Sequence, residues 1–249
     1  MIPKIITVSL FFLLTSFISN SFKDDQLRYP RVRQAYKDKE ASMNALFESN
    51  SIDKKKLRIY LRAFKEEKKI ELWAKSSTDQ KYKLIKEYKV CRTSGKIGPK
   101  RKQGDRQIPE GFYRINRFNP HSNFYLSLGI NYPNKSDKIL GEKNNLGGDI
   151  FIHGSCVTIG CLPITDNQIK ELYIICVEAK NSGQSTIPVT IFPMELSESN
   201  FNKLKIKYSE DLDKIGLWID LKKGYDIFNQ TKELPNIGFL STGKHTVVQ

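Results

Sequence analysis

The stretch that decides the fold is GGDIFIHGSCVTIGCLPITDNQIKELYIICVEA, Gly147 to Ala179. Its first part alternates, so that Asp149, Phe151 and His153 fall on one face of a strand and Ile150 and Ile152 on the other. Gly154 ends that strand and leaves His153 at its tip. The last part changes period: Ile169, Leu172, Tyr173 and Cys176 recur at helical spacing, behind Thr165 as N-cap with Gln168 three residues on as a capping box. A strand, a glycine-punctuated turn and a capped helix therefore follow one another, with two cysteines and a histidine in the turn.

Working outward, KLRIYLRAF and KIELWAKS alternate apolar and polar residues around the charged turn KEEKK, which is a hairpin signal. YKLIKEYKVCR continues the strands. GKIGPKRKQGDRQIPEGFYRI is a Gly/Pro-rich loop closing on another strand, FYLSLGINY gives one more, and STIPVTIFP reads as the last. Residues 22 to about 50 are charged and helix-permitting with few large apolar residues, so they read as a helical lead rather than core. Beyond Met194 the pattern is helical until Pro235, and Trp218, Tyr225 and Phe228 are large enough to pack back on the sheet. The fold class is α+β, a β-rich core with flanking N- and C-terminal helices.

A chain of 249 residues with 39% hydrophobic content can bury one sizeable core. Its formal charge of +14 favours anionic partners such as nucleic acid, a membrane surface or a wall polymer, although the lysines are spread rather than blocked. Lys4 precedes a mostly apolar run from Ile5 to Ile18, about 14 residues, shorter than a membrane span of about 20 and matching a signal-peptide core. Residues 1–21 are read as a signal peptide or an uncleaved N-terminal anchor, so the chain is expected to be exported to the periplasm or cell envelope. Membrane contact is expected only through that segment if it stays. Exported cysteines invite disulfides. Cys176 reads as a buried small hydrophobe, Cys91 as core or a disulfide partner, and the spacing pairs none of them.

Eight residues separate His153 from Cys161, up to about 27 Å if extended, so contact between them requires the chain to double back at residues such as Gly154 and Gly160. The chemical reason for that contact is activation. A free thiol is only about 3% ionised at neutral pH, and pairing with a histidine lowers its pKa until thiolate dominates. The same imidazole then protonates a leaving amine. Cys161 follows Gly160 in a tight turn whose backbone N–H groups can hold an oxyanion, which makes it a better nucleophile than Cys156. Three other readings stand beside this one: a core His and Cys, a metal site from H-x2-C-x4-C, and a Cys156 to Cys161 disulfide.

With these residues in view, IHGSCVTIGCLPITDNQI, GPKRKQGDRQIPEGFYRI and NPHSNFYLSLGINYPN together resemble the L,D-transpeptidase (YkuD-like) family, most closely its YafK-type murein branch. The resemblance implies a β-rich catalytic domain over residues 56–193, after a helical lead at 22–55 and before a C-terminal helical extension at 194–249. It implies that Cys161 attacks the third residue of a peptidoglycan stem peptide, expels the terminal D-alanine and passes the acyl group to an amine. His153 would move the protons, the backbone carbonyl of Gly154 would orient that imidazole, and the oxyanion would fall to the Gly160 and Cys161 backbone N–H groups already noted. Many members read S/T-H-G-C; this chain has Ile159 where the second histidine stands, a feature of the branch. Within that branch hydrolytic release of a peptidoglycan-linked protein competes with transfer, and a non-catalytic wall-binding protein is the remaining alternative.

The loop Gly95 to Arg106 carries Lys96, Lys100, Arg101, Lys102 and Arg106 against one acid, Asp105. Lys100, Lys102 and Arg106 of this loop are expected substrate contacts, against a reading as a solvated turn, and His121 in RFNPHSNF is a further candidate contact, against a reading as a loop histidine. His245 reads as incidental. Expected partners are stem peptides and a wall-linked lipoprotein. Nucleic acid is not expected, since aromatic interleaving for base stacking is missing. No metal or organic cofactor is expected, because thiol and imidazole suffice for acyl transfer.

Overall fold

The computed structural model describes residues 21–249, so the apolar run read as a signal peptide or anchor lies outside the described residues. The chain opens with α1 (Phe22–Leu27), capped reciprocally by Ser21 and Asp24, and α2 (Pro30–Ser49), which starts on a proline. Then come β1 (Leu57–Phe64), β2 (Lys69–Ser76), β3 (Lys83–Lys89), β4 (Gly111–Asn119) and β5 (Ser127–Ile130). A short α3 (Lys135–Leu140) precedes β6 (Phe151–His153), β7 (Leu162–Pro163), α4 (Asp166–Asn181) and β8 (Ile187–Phe192). The end is α5 (Glu198–Lys207), α6 (Leu212–Thr231), β9 (Asn236–Phe239) and β10 (His245–Val248).

Eight strands form one sheet in the order β3-β2-β1-β8-β4-β5-β6-β7. β1 and β2 pair as the expected hairpin, Phe64 opposite Lys69. β8 is not the last strand but a central one, parallel to β1 and antiparallel to β4. Every residue of β8 except Pro188 is buried, as a strand covered on both faces requires.

One face of the sheet, with Ile59, Leu61, Leu72, Val189, Leu128 and Ile152, packs on α4 and α2. Here the helical lead departs from expectation. Val32, Tyr36, Met43 and Phe47 are spaced by four, seven and four residues, so a few apolar side chains gather on one stripe and all four are buried. Each such burial is worth roughly 1.5–3 kcal/mol. Tyr36 also donates to Glu178 of α4 at 2.9 Å, fixing the lead to the core.

The second face is covered over β1, β2 and β8 by α6. Trp218 and Leu221 pack with Phe64 and Phe192, while Phe228 packs with Tyr60 and Trp73. The expectation that Trp218, Tyr225 and Phe228 pack back on the sheet therefore holds. The extension is not wholly helical, however, because β9 and β10 form an antiparallel hairpin after Pro235. His245 is not incidental: it is buried in that hairpin, its backbone N–H donates to Asp220 of α6 at 2.8 Å, and its Nδ1 faces the same carboxylate at 3.1 Å. Over β4 the second face stays open, with Arg114, Asn116 and Arg117 exposed.

Candidate active site

β6 is antiparallel to β5, with Ser127 opposite His153, and parallel to β7, with His153 opposite Pro163 and Ile152 opposite Leu162. Continuing that parallel register by one residue sets Cys161 beside Phe151, on the strand face that Phe151 shares with His153. Adjacent strands lie about 4.8 Å apart, so the doubling back that the spacing demanded is achieved by a short parallel pair. Asp149 does not extend the strand as expected; its φ of 55° turns the chain into β6.

His153 is buried, and its Nδ1 lies 2.5 Å from the Gly154 carbonyl oxygen. A carbonyl can only accept, so the proton sits on Nδ1 and Nε2 keeps its lone pair. Burial lowers the imidazole pKa, and the Gly154 carbonyl partly opposes this. The Phe124 ring stacks on the imidazole with centroids 4.5 Å apart. Gly154 is needed for space: a Cβ there would meet Asp166 Oδ1 at 2.5 Å and the Phe124 carbonyl oxygen at 2.7 Å.

Cys161 is a half-buried free thiol, its Sγ 3.6 Å from the Asp149 carbonyl oxygen. Burial pushes its pKa up; the Phe151 N–H pulls it partly back, the Asp149 carboxylate raises it and Lys100 lowers it. Burial outweighs the local donors, so the environment favours the thiol over the thiolate that the spacing argument expects. Arg117 pairs with Asp149 at 2.7 Å and lies over the Phe151 ring at 4.6 Å, fixing the strand entry.

Cys156 is bonded to Cys91, 65 residues away, with their Cα atoms 5.6 Å apart. That pairing displaces the Cys156 to Cys161 disulfide and removes Cys156 as a ligand from the H-x2-C-x4-C metal reading. Cys176 is fully buried in α4, as its spacing indicates.

A residue that sequence reasoning missed organises the turn. Thr158 Oγ1 accepts the N–H of Cys161 at 2.8 Å and that of Gly160 at 3.1 Å, and donates its own proton to the Cys161 carbonyl at 2.8 Å. The two amides assigned to an oxyanion are thus occupied in this state by a hydroxyl oxygen. The Gly154 N–H donates to the Leu126 carbonyl at 3.2 Å, while its own carbonyl meets His153 as expected. The available signal was a threonine three residues before a cysteine, a spacing at which hydroxyls commonly cap turns. Gly160 has φ 142°, and a Cβ there would come within 3.1 Å of the Gln107 carbonyl oxygen.

The basic loop divides. Lys100 is buried, pairing with Asp105 at 2.6 Å and donating to the Lys102 carbonyl at 2.7 Å, so it staples the loop rather than facing outward. Despite burial, Lys100 and three backbone N–H groups hold the Asp105 carboxyl below its ordinary value. Lys102 and Arg106 are exposed. Beneath the loop Lys65 pairs with Glu110 at 2.8 Å and donates to the carbonyls of Lys96, Gly98 and Ile108. Glu110 also accepts from Trp218 of α6 at 2.7 Å. His121 does not join His153; it is exposed and packs edge-on to Tyr29 at 5.0 Å, while Phe124 of the same loop reaches the imidazole.

Comparison with known proteins identifies the family of this chain. Residues 58–191 match the YkuD family, the L,D-transpeptidase catalytic domain. The chain is 35% identical over 191 residues to the Escherichia coli (strain K12) protein YafK, whose name gives L,D-transpeptidase as a provisional activity; the match spans 76% of this chain and 73% of YafK. Among solved structures, the helical cell shape determining protein Pgp2 of Campylobacter jejuni is 21% identical, with a TM-score of 0.44 over 74% of this chain and 73% of that one. Bd1075 of Bdellovibrio bacteriovorus is 23% identical, with a TM-score of 0.39 over 69% of this chain and 62% of that one.

Proposed function

The chain belongs to the YkuD family of L,D-transpeptidase catalytic domains, and from that premise we propose that it is a cysteine acyltransferase of peptidoglycan in which Cys161 is the nucleophile and His153 the proton carrier. The observation that carries the reading is the pair itself: a free thiol immediately before β7, and on the adjoining β6 an imidazole whose Nδ1 is committed to a carbonyl and whose Nε2 has its lone pair. A neutral thiol beside a neutral imidazole suits general-base attack. Nε2 takes the Sγ proton as sulfur bonds to the carbonyl carbon of the third stem residue, and the tetrahedral oxyanion collapses as that proton passes to the departing D-alanine nitrogen. An amine then attacks the thioester, gives up its proton through His153 and releases Cys161 as the thiol. The Gly160 and Cys161 amides are the donors nearest the developing oxyanion, once Thr158 yields them.

Export to the periplasm belongs to the same proposal, with residues 1–21 as signal peptide or anchor. A disulfide at Cys91–Cys156 fits an oxidising compartment. A wall-linked lipoprotein is a fitting substrate or acceptor, and residues 22–55, 56–193 and 194–249 act as lead, catalytic domain and extension.

The test is to incubate the chain with purified tetrapeptide muropeptides and examine Cys161 by intact mass. A thioester, absent from Cys161→Ala, is expected. Cross-linked dimers identify transfer, and freed lipoprotein tails or tripeptides identify hydrolysis. Neither adduct nor Cys161-dependent product would defeat the enzymatic reading and leave the wall-binding one.

A further inference from the structure

The open part of the second sheet face carries more than the thiol and imidazole. A cleft of about 750 Å³ lies between β4 and the C-terminal hairpin, with Phe112 and Pro188 in its floor and Ile237 and Phe239 in its wall. Three cations, Arg114, Lys135 and Lys138, line it and are exposed, and no carboxylate is among its lining residues. Lys135 donates to the Phe239 carbonyl at 3.1 Å, whereas Arg114 and Lys138 have no ion-pair partner among the described residues. The wall is firmly built. His245 stands between Phe112 at 5.2 Å and Phe239 at 5.0 Å and is pinned by Asp220 of α6, so hairpin, strand and helix form one support.

Strand geometry relates this cleft to the thiol. Arg114 and Asn116 alternate with the buried Tyr113 and Ile115, which puts them on the same sheet face as Phe151, His153 and Cys161. β4 and β7 are three strand steps apart, about 14 Å. An extended chain covers that distance in about four residues. Between the two, Gly129 keeps the face low: a Cβ there would come within 3.2 Å of Phe151 and Asn116.

We infer that this cleft is a second binding subsite, taking a carboxylate-bearing peptide segment whose reactive end lies at Cys161, with Arg114 and Lys138 pairing its carboxylates. The lining specifies a peptide rather than a bare anion. An apolar floor suits side chains or methylenes, rim cations suit carboxylates, and the exposed Asn116 amide offers both a donor and an acceptor, as a peptide main chain requires. The inference rests on the proposed acyl transfer only in taking Cys161 as the reactive end.

The full chain carrying Cys161→Ala is titrated calorimetrically with a soluble disaccharide tetrapeptide and with the same compound after its carboxylates are amidated. Adding Arg114→Gln and Lys138→Gln is expected to weaken the carboxylated probe about tenfold and leave the amidated one unchanged. Asn116→Trp, which blocks the cleft without altering charge, is expected to weaken both. With Cys161 intact, the Gln pair raises KM and leaves kcat unaltered. Equal affinities with and without the Gln pair, or no binding of either probe to the Cys161→Ala chain, overturn the subsite. Arg114-dependent binding without any Cys161 thioester in the unaltered chain supports the subsite and defeats the acyl-enzyme proposal instead.

Discussion

Thr158 Oγ1 lies 2.8 Å from the Cys161 amide nitrogen and 3.1 Å from that of Gly160, so one hydroxyl fills the place where two backbone donors converge. The same hydroxyl returns its proton to the Cys161 carbonyl at 2.8 Å. It therefore holds the turn that keeps both amides pointing together, and in the proposed reaction it rotates when a substrate oxyanion arrives. Each of these bonds is worth about 0.5–1.5 kcal/mol net. Thr158→Val removes all three, and we expect thioester formation to slow about tenfold while Thr158→Ser stays near the unaltered rate. Intact-mass kinetics read this directly; a valine variant that acylates as fast or faster would reduce the hydroxyl to a plug.

Burial moves the two reactive groups in opposite directions, the thiol upward and the imidazole downward. Both shifts favour neutral forms near neutral pH. The imidazole must be neutral to accept a proton, and its lowered pKa puts the acid limb of the acylation rate below the ordinary imidazole value of 6.5. The thiol's raised pKa puts half-maximal alkylation by iodoacetamide above its ordinary value of 9.0. A pH profile of iodoacetamide labelling tests the pair, and a midpoint in the acidic range would restore the thiolate–imidazolium description.

The local parts of this arrangement were legible in the chain because their causes are local. Thr165 and Gln168 cap α4 reciprocally, the β1/β2 alternation makes its hairpin, and Gly154 ends the strand that presents His153. What could not be read depends on partners far along the chain. Lys100 is indistinguishable from Lys102 until Asp105 folds beneath it, and Cys91 gains a partner only when β3 ends beside the Cys156 turn. α2 looked too polar for core because its apolar residues are sparse, yet they fall on one stripe. β8 looked terminal, although it sits between β1 and β4. The C-terminal hairpin was hidden by its polar tip, while the contact that fixes it, His245 to Asp220, spans 25 residues.

The disulfide ties the turn bearing Cys161 to the segment after β3. Cross-linking residues 65 apart removes unfolded-chain entropy worth about 4 kcal/mol in the loop-closure treatment. Cys91→Ser with Cys156→Ser is expected to lower Tm by several degrees and to reduce acylation more than the Tm loss alone explains, since the turn of the proposed nucleophile is released. Calorimetry beside intact-mass kinetics at a temperature where both proteins are folded separates the two effects. Unchanged acylation there would make the bridge a stabiliser only.

The C-terminal extension bears on the site through Trp218. Its indole N–H reaches Glu110 at 2.7 Å, and Glu110 in turn pairs with Lys65, whose ammonium gathers three carbonyls around the loop below Lys100. All three side chains are buried, so removing Lys65 leaves the Glu110 charge uncompensated, at about 3–5 kcal/mol for a broken buried pair. Lys65→Met is therefore expected to destabilise strongly, and Trp218→Phe, which keeps the ring but not the donor, by about 1–3 kcal/mol. A chain ending at Pro193 loses the cover over Phe64, Phe112 and Phe192 as well, and is expected to be insoluble although residues 58–191 span the whole family match. Soluble, folded and active protein from that truncation would show that the extension is an appendage and not part of the catalytic unit.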